Sequence, residues 1–181
     1  MNDTLVWSEK MDGLFRKHVH EIVEDHPKTD WGENIRLGYP FGVIRDDVLK
    51  NGRADFAVGH ADAQYGNLTA DQKVLLYCFV NMKGHFFSSY ANFRFNKMSL
   101  IKHFGPPQRI RVYDIGCGPA TALLALCDLF PGIKLRYYGI DRAQAMPKRP
   151  RSCGMPLSNS ALSAGSRLRY SESLGIRLTS R

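Results

Sequence analysis

The stretch Arg109-Ile110-Arg111-Val112-Tyr113-Asp114-Ile115-Gly116-Cys117-Gly118-Pro119-Ala120-Thr121 decides how this chain folds. Ile110 and Val112 are β-branched and Tyr113 is aromatic, which predicts a short strand over residues 109–115. Gly116 and Gly118 then let the backbone turn sharply, with no Cβ in the way of a ligand. Pro119 suits a first helical turn, where its missing N–H costs no bond. Residues 120–130 are rich in Ala and Leu and predict a helix, ended by Pro131-Gly132. A second strand is expected over residues 133–140, closing on Asp141. Strand, glycine turn, helix and strand make one βαβ unit, so the fold class is α/β.

The turn has a defined electrostatic character. Backbone N–H groups at a helix N-terminus favour negative charge, and Asp114 adds a carboxylate at the end of the strand. Asp114-x-Gly116-x-Gly118 resembles motif I of class I S-adenosylmethionine (SAM) dependent methyltransferases, whose fuller form is Asp/Glu-x-Gly-x-Gly-x-Gly. The resemblance implies a Rossmann-like SAM-methyltransferase fold, here partial, behind a helical N-terminal region. It implies that the loop approaches the methionine part of SAM and that Asp114 works near the methionine amino group. Asp141 matches the family's acid at the end of the second strand, which binds the ribose hydroxyls; one carboxylate can accept from both. The cofactor contacts implied are therefore Asp114, Gly116, Cys117, Gly118 and Asp141. Ala120 occupies the third glycine position and departs from the family pattern.

Two other readings compete. A dinucleotide fold with G-x-G-x-x-G would need glycine where Thr121 stands, and a carboxylate just before the loop would repel a pyrophosphate. The other is a glycine turn without a ligand. For Cys117, a helix N-terminus would lower the thiol pKa and suggest a nucleophile, but a small residue packed under the loop is the favoured reading. No catalytic base and no metal site is expected, and any other catalytic residue is left open.

Working outward toward the N-terminus, residues 4–26 carry Leu5, Met11, Leu14, Phe15, Val19, Ile22 and Val23 at roughly helical spacing, and Pro27 ends the run. Residues 28–68 are glycine-rich and read as loops with short helical pieces. A second helix is expected from Thr69, whose spacing to Gln72 fits a capping box. It continues through an aromatic-rich run over residues 74–95, with Gly84 a candidate kink and Pro106-Pro107 its end. Tyr77, Asn81 and His85 fall on one helical face as a lid or substrate wall, with His85 a candidate base. Structural or solvated polar groups are the favoured reading of that trio. His18 and His20 do not form a metal pair, and the Asp46-Asp47 and Glu24-Asp25 pairs read as solvated surface.

After Met146 the character of the chain changes. The net charge is +8, but residues 148–181 hold seven of the 25 Lys/Arg and one of the 17 Asp/Glu. That segment carries +6, and the remaining 147 residues carry +2. The expected organisation is a helical region over 1–105, the start of a SAM-binding domain over 106–147, and a basic Ser/Arg-rich tail over 148–181, read as disordered. The tail is read either as a genuine extension or as the product of a shifted or truncated reading frame. Delivery of the domain to RNA by this tail is not favoured, because Tyr170 is its one aromatic for stacking.

At 44% hydrophobic and 23% charged residues, the composition is that of a soluble globular protein. No apolar run approaches the roughly 18 residues of a membrane span. Neither a basic n-region nor an apolar signal segment opens the chain. Cys78, Cys117, Cys127 and Cys153 form no CxxC pair, which points to reduced thiols and a cytoplasmic setting. The expected function is methyl transfer from SAM to an unidentified acceptor. The alternative is an inactive fragment or binding module that keeps only the cofactor loop. Two strands cannot complete a doubly covered parallel sheet, so an exposed sheet edge and self-association are also expected.

Overall fold

The computed structural model describes residues 7–30, 34–104, 110–131, 135–143 and 145–146. The architecture is mixed α/β. The tail after Met146, Pro106-Pro107, Arg109 and the expected start of the second strand at Ile133 lie outside these residues.

Helix α1 covers residues 9–24 and is capped by Ser8, whose hydroxyl accepts from the Met11 N–H at 3.3 Å. Its α-helical parts, Glu9–Phe15 and Glu21–Glu24, flank a π-helical turn at Arg16–His20. The buried side chains explain that turn. Met11, Phe15, Val19 and Val23 recur every fourth residue, a longer period than the 3.6 of an α-helix. A straight α-helix would rotate each of them about 40° off the core line, whereas a wider i→i+5 turn restores the alignment.

The same device recurs in the long helix α3 over residues 70–95. Val74, Cys78, Met82 and Phe86 are buried at four-residue steps, and the π turn lies at Cys78–Met82. Gly84 sits inside the regular helix Lys83–Phe95 and makes no break; the departure from α geometry lies just before it. The expected capping box is present: the Gln72 N–H donates to Thr69 Oγ1 at 3.1 Å, and Gln72 Oε1 accepts from the Thr69 N–H at 2.9 Å. Helix α4, Lys97–Phe104, follows a one-residue turn at Asn96.

Between α1 and α3 the loop region holds a hairpin the sequence pattern did not announce. β1 (Ile35–Arg36) pairs antiparallel with β2 (Tyr39–Pro40). Leu37 and Gly38 form the turn, both with positive φ (53° and 88°), the backbone hand that matches strand twist. Helix α2, residues 41–48, repeats the four-residue spacing with Ile44 and Val48 buried across its π turn. Gly59 is required by contact: a Cβ there would stand 2.2 Å from the Leu68 carbonyl oxygen.

β3 (Ile110–Ile115) and β4 (Leu135–Ile140) pair in parallel, with Asp114 opposite Gly139 and Tyr113 opposite Tyr138. Helix α5, Thr121–Leu129, crosses between them. Leu123, Leu124, Ala125, Leu126 and Leu129 are all buried, so α5 is covered on most of its circumference. The sheet lies on one side of it and the second half of α3 on the other. One hydrophobic cluster therefore runs from the helical region through α5 to Leu135 and Tyr137 of β4. The opposite sheet face is open: Tyr113, Ile115 and Ile140 are exposed, and Tyr113 stacks on Tyr138 at 4.8 Å. Among the described residues, no helix is long and apolar enough to cross a membrane.

Candidate functional site at the glycine loop

The carboxyl ends of β3 and β4 meet at the loop that leads into α5. Gly116 and Cys117 both direct their N–H groups at the Ile140 carbonyl, at 2.7 and 3.2 Å, which ties the loop to the end of β4. Gly116 and Gly118 adopt φ of +73° and +49°, and a Cβ at either would meet no neighbour within 4 Å. The loop backbone is thus both forced into the left-handed region and bare on its outer side.

Asp141 follows β4 directly and faces the loop. Its Oδ2 accepts from the Gly118 N–H at 2.9 Å and its Oδ1 from the Ala143 N–H at 2.8 Å. Each oxygen keeps acceptor capacity, so the carboxylate is held in place without being used up. Asp114 is half-buried, and its Oδ2 accepts from the Tyr137 hydroxyl at 2.6 Å.

The helix start beside these groups lacks a side-chain acceptor. Ala120 is the cap residue and makes no capping bond, so the first N–H groups of α5 are not satisfied by it. Ala120 is also the departure from the glycine pattern, and it sits at φ +59°. A left-handed non-glycine residue costs about 1–2 kcal/mol, so the missing glycine is a backbone cost at the loop.

Cys117 is buried under the loop, 5% exposed. Burial first, then the nearby Asp114 and Asp141 carboxylates, push its thiol up to about 12. Hydrogen bonds from Tyr137 and the loop backbone act in the opposite direction but are smaller. A thiol that remains protonated at neutral pH is a packing residue, not a nucleophile.

The helical region supplies a wall. Tyr77 of α3 lies in the field of Asp141, and burial, Cys78 and Asp141, in that order, raise its phenol above the ordinary value. Phe56 packs edge-on against Tyr77 at 5.0 Å, and His85 stacks on it at 5.8 Å. His85 itself is exposed, whereas Tyr77 lies within reach of the Asp141 charge. The Phe56 segment is fixed from below by buried Lys73. Its ammonium donates to the carbonyls of Asp55, Val58 and Gly59 at 2.7, 3.3 and 3.4 Å, and burial lowers its pKa. Asp55 reaches across to Arg142, just after Asp141, at 3.5 Å.

All five expected contact residues, Asp114, Gly116, Cys117, Gly118 and Asp141, meet at this one place, with Cys117 beneath the others. Sequence reasoning did not find Tyr137, Phe56, Asp55 or Lys73. Of these only Tyr137 left a trace, since it shares a strand face with Leu135 and Gly139. Among the described residues, no three His, Cys, Asp or Glu side chains gather into a metal-binding group. No protein-family model, no curated protein and no solved structure matches this chain.

Proposed function

We propose that the β3–α5 loop binds SAM in a partial Rossmann-like domain and that the protein transfers its methyl group to an acceptor. One observation carries this reading: open glycine backbone lies between two carboxylates, with Asp141 already fixed by the Gly118 and Ala143 N–H groups. The chemistry of the site fits the ligand. Asp114 offers a negative charge where an ammonium would sit, and Asp141 has an acceptor position left on each oxygen for vicinal hydroxyls. When bound, SAM would supply an electrophilic sulfonium methyl, open to in-line attack by an acceptor with S-adenosylhomocysteine as the leaving group. The residues here would contribute positioning, through the loop and the two carboxylates, with the Tyr77–Phe56 wall limiting water on one side. No base is assigned.

A second reading is favoured by the exposed sheet face. A parallel sheet ordinarily has both faces covered, and this one is covered on the α5 side alone among the described residues. That geometry suits a module that holds the cofactor without turnover.

Calorimetric titration with S-adenosylhomocysteine tests the binding common to both. Saturable binding is expected, and Asp141→Ala should weaken it by roughly 100–10,000-fold, the scale of losing two charged hydrogen bonds. Well-folded protein that binds neither this product nor SAM would sink both readings. Methyl transfer by the binding-competent protein separates the first reading from the second.

A further inference from the structure

Tyr137 is among the largest fully buried side chains of the protein, 2% exposed, and lies on β4 two residues before Gly139. Gly139 is the register partner of Asp114. With no side chain at Gly139, the Tyr137 ring can lean along the strand, and its hydroxyl reaches Asp114 Oδ2 at 2.6 Å. That length lies within the range of an O–H···O⁻ bond to a carboxylate, the stronger kind. The Cys117 thiol also lies against the Tyr137 hydroxyl, so the phenol ties the end of β3 to the underside of the loop.

A buried tyrosine hydroxyl needs a partner, but a backbone carbonyl would serve equally well. This one instead takes the strand-end carboxylate and occupies a single oxygen of it. We propose that Tyr137 is a positioning residue: its hydroxyl holds Oδ2 of Asp114 so that Oδ1 is presented to the cationic amino group of the ligand at the glycine loop. The inference rests on the SAM-binding reading above. It adds that the ammonium end of the ligand is recognised by a carboxylate whose rotamer is set from within the core, through Tyr137. Asp141 is set differently, by loop N–H groups. The two ends of the ligand are thus oriented by independent supports.

The test uses the full chain, Tyr137→Phe, Asp114→Asn and the double variant. Each is titrated with S-adenosylhomocysteine and with its analogue lacking the α-amino group. Tyr137→Phe should weaken the amino-bearing ligand about tenfold and leave the analogue within about twofold, since only the former uses Asp114. In the Asp114→Asn background, Tyr137→Phe should add no further loss for either ligand. Thermal melting of the ligand-free proteins shows whether the variants fold. Equal weakening of both ligands would reduce Tyr137 to a structural residue and overturn the inference, as would unchanged binding of the amino-bearing ligand. Wild-type protein that binds neither ligand would overturn the SAM reading and the inference together, an outcome distinct from the other two.

Discussion

The helical region and the βαβ unit share one hydrophobic cluster, yet they finish their surfaces differently. In the helical region, the four-residue apolar stripes of α1 and α3 are buried, while Phe95, Met98 and Ile101 near its end are exposed: Trp7 stacks on Phe86 at 4.7 Å, and Phe86 in turn touches Phe87 and Tyr90. In the βαβ unit, the sheet buries Leu135 and Tyr137 against α5 while Tyr113, Ile115 and Ile140 stand in solvent. The apolar stripes of α1 and α3 are therefore enclosed, whereas the sheet of the βαβ unit is packed on its α5 face alone among the described residues. The loop that carries the two carboxylates hangs on that sheet. Its rigidity comes from polar ties, among them the N–H groups on Asp141 and the Tyr137 hydroxyl on Asp114.

The largest effect should come from the helical side. Phe86 is 0% exposed and stacks with Trp7 at an interplanar angle of 8°. Phe86→Ala should destabilise the protein by about 3–5 kcal/mol, combining lost burial with a cavity between α3 and the N-terminal residues. Chemical denaturation measures it directly. A loss below about 1 kcal/mol would mean that this region is packed no better than the sheet, and the contrast between the two would collapse.

How much of this was legible beforehand depended on how local the signal was. The capping box at Thr69 and the glycine turn at 116–118 rest on neighbouring residues, and the structure has both. The four-residue spacing of Met11, Phe15, Val19 and Val23 was in plain view, but as an average helical period it hid the π turn that it requires. The hairpin over residues 35–40 was not legible, because its strands are two residues long and Leu37 is an uncommon residue for a left-handed turn position. At the site, Asp114 and Asp141 were legible as strand-end acids. Tyr137 was not, since its meeting with Asp114 depends on the parallel register, which no short window contains.

A comparison within α5 sharpens the point about the loop. Ala125 and Ala120 are equally buried, at 0% and 1% exposure, but only Ala120 has positive φ. Ala125→Gly loses a buried methyl, about 0.8 kcal/mol, and helix propensity, about 1 kcal/mol, for a total near 2 kcal/mol. Ala120→Gly loses a similar methyl but relieves about 1–2 kcal/mol of left-handed strain. It should therefore leave stability within about 0.5 kcal/mol of the parent, given the added freedom of glycine in the unfolded chain. Thermal or denaturant melts of the two variants, side by side, decide it. Equal costs at both positions would show that Ala120 carries no strain and that the departure from the third glycine is silent.

The smallest effect is expected on the open sheet face. Tyr113 is 63% exposed, and its described ring contact is the stack on Tyr138 at an interplanar angle of 10°. An aromatic pair of this kind is worth about 0.5–1.5 kcal/mol beyond buried area, and solvent on one side argues for the lower end. Tyr113→Ser should thus cost about 0.5 kcal/mol as measured by denaturation at low protein concentration. The same substitution removes apolar surface from a face built for covering, so sedimentation should show less self-association at high concentration. The two readouts must move differently if the face is bare: stability barely changes while association falls. A cost of 2 kcal/mol or more for the dilute protein would instead mean that the Tyr113 side is buried, since an exposed tyrosine has too few contacts to lose that much. The βαβ unit would then be covered on both faces, and the case for a cofactor-holding module without turnover would lose the observation that favours it.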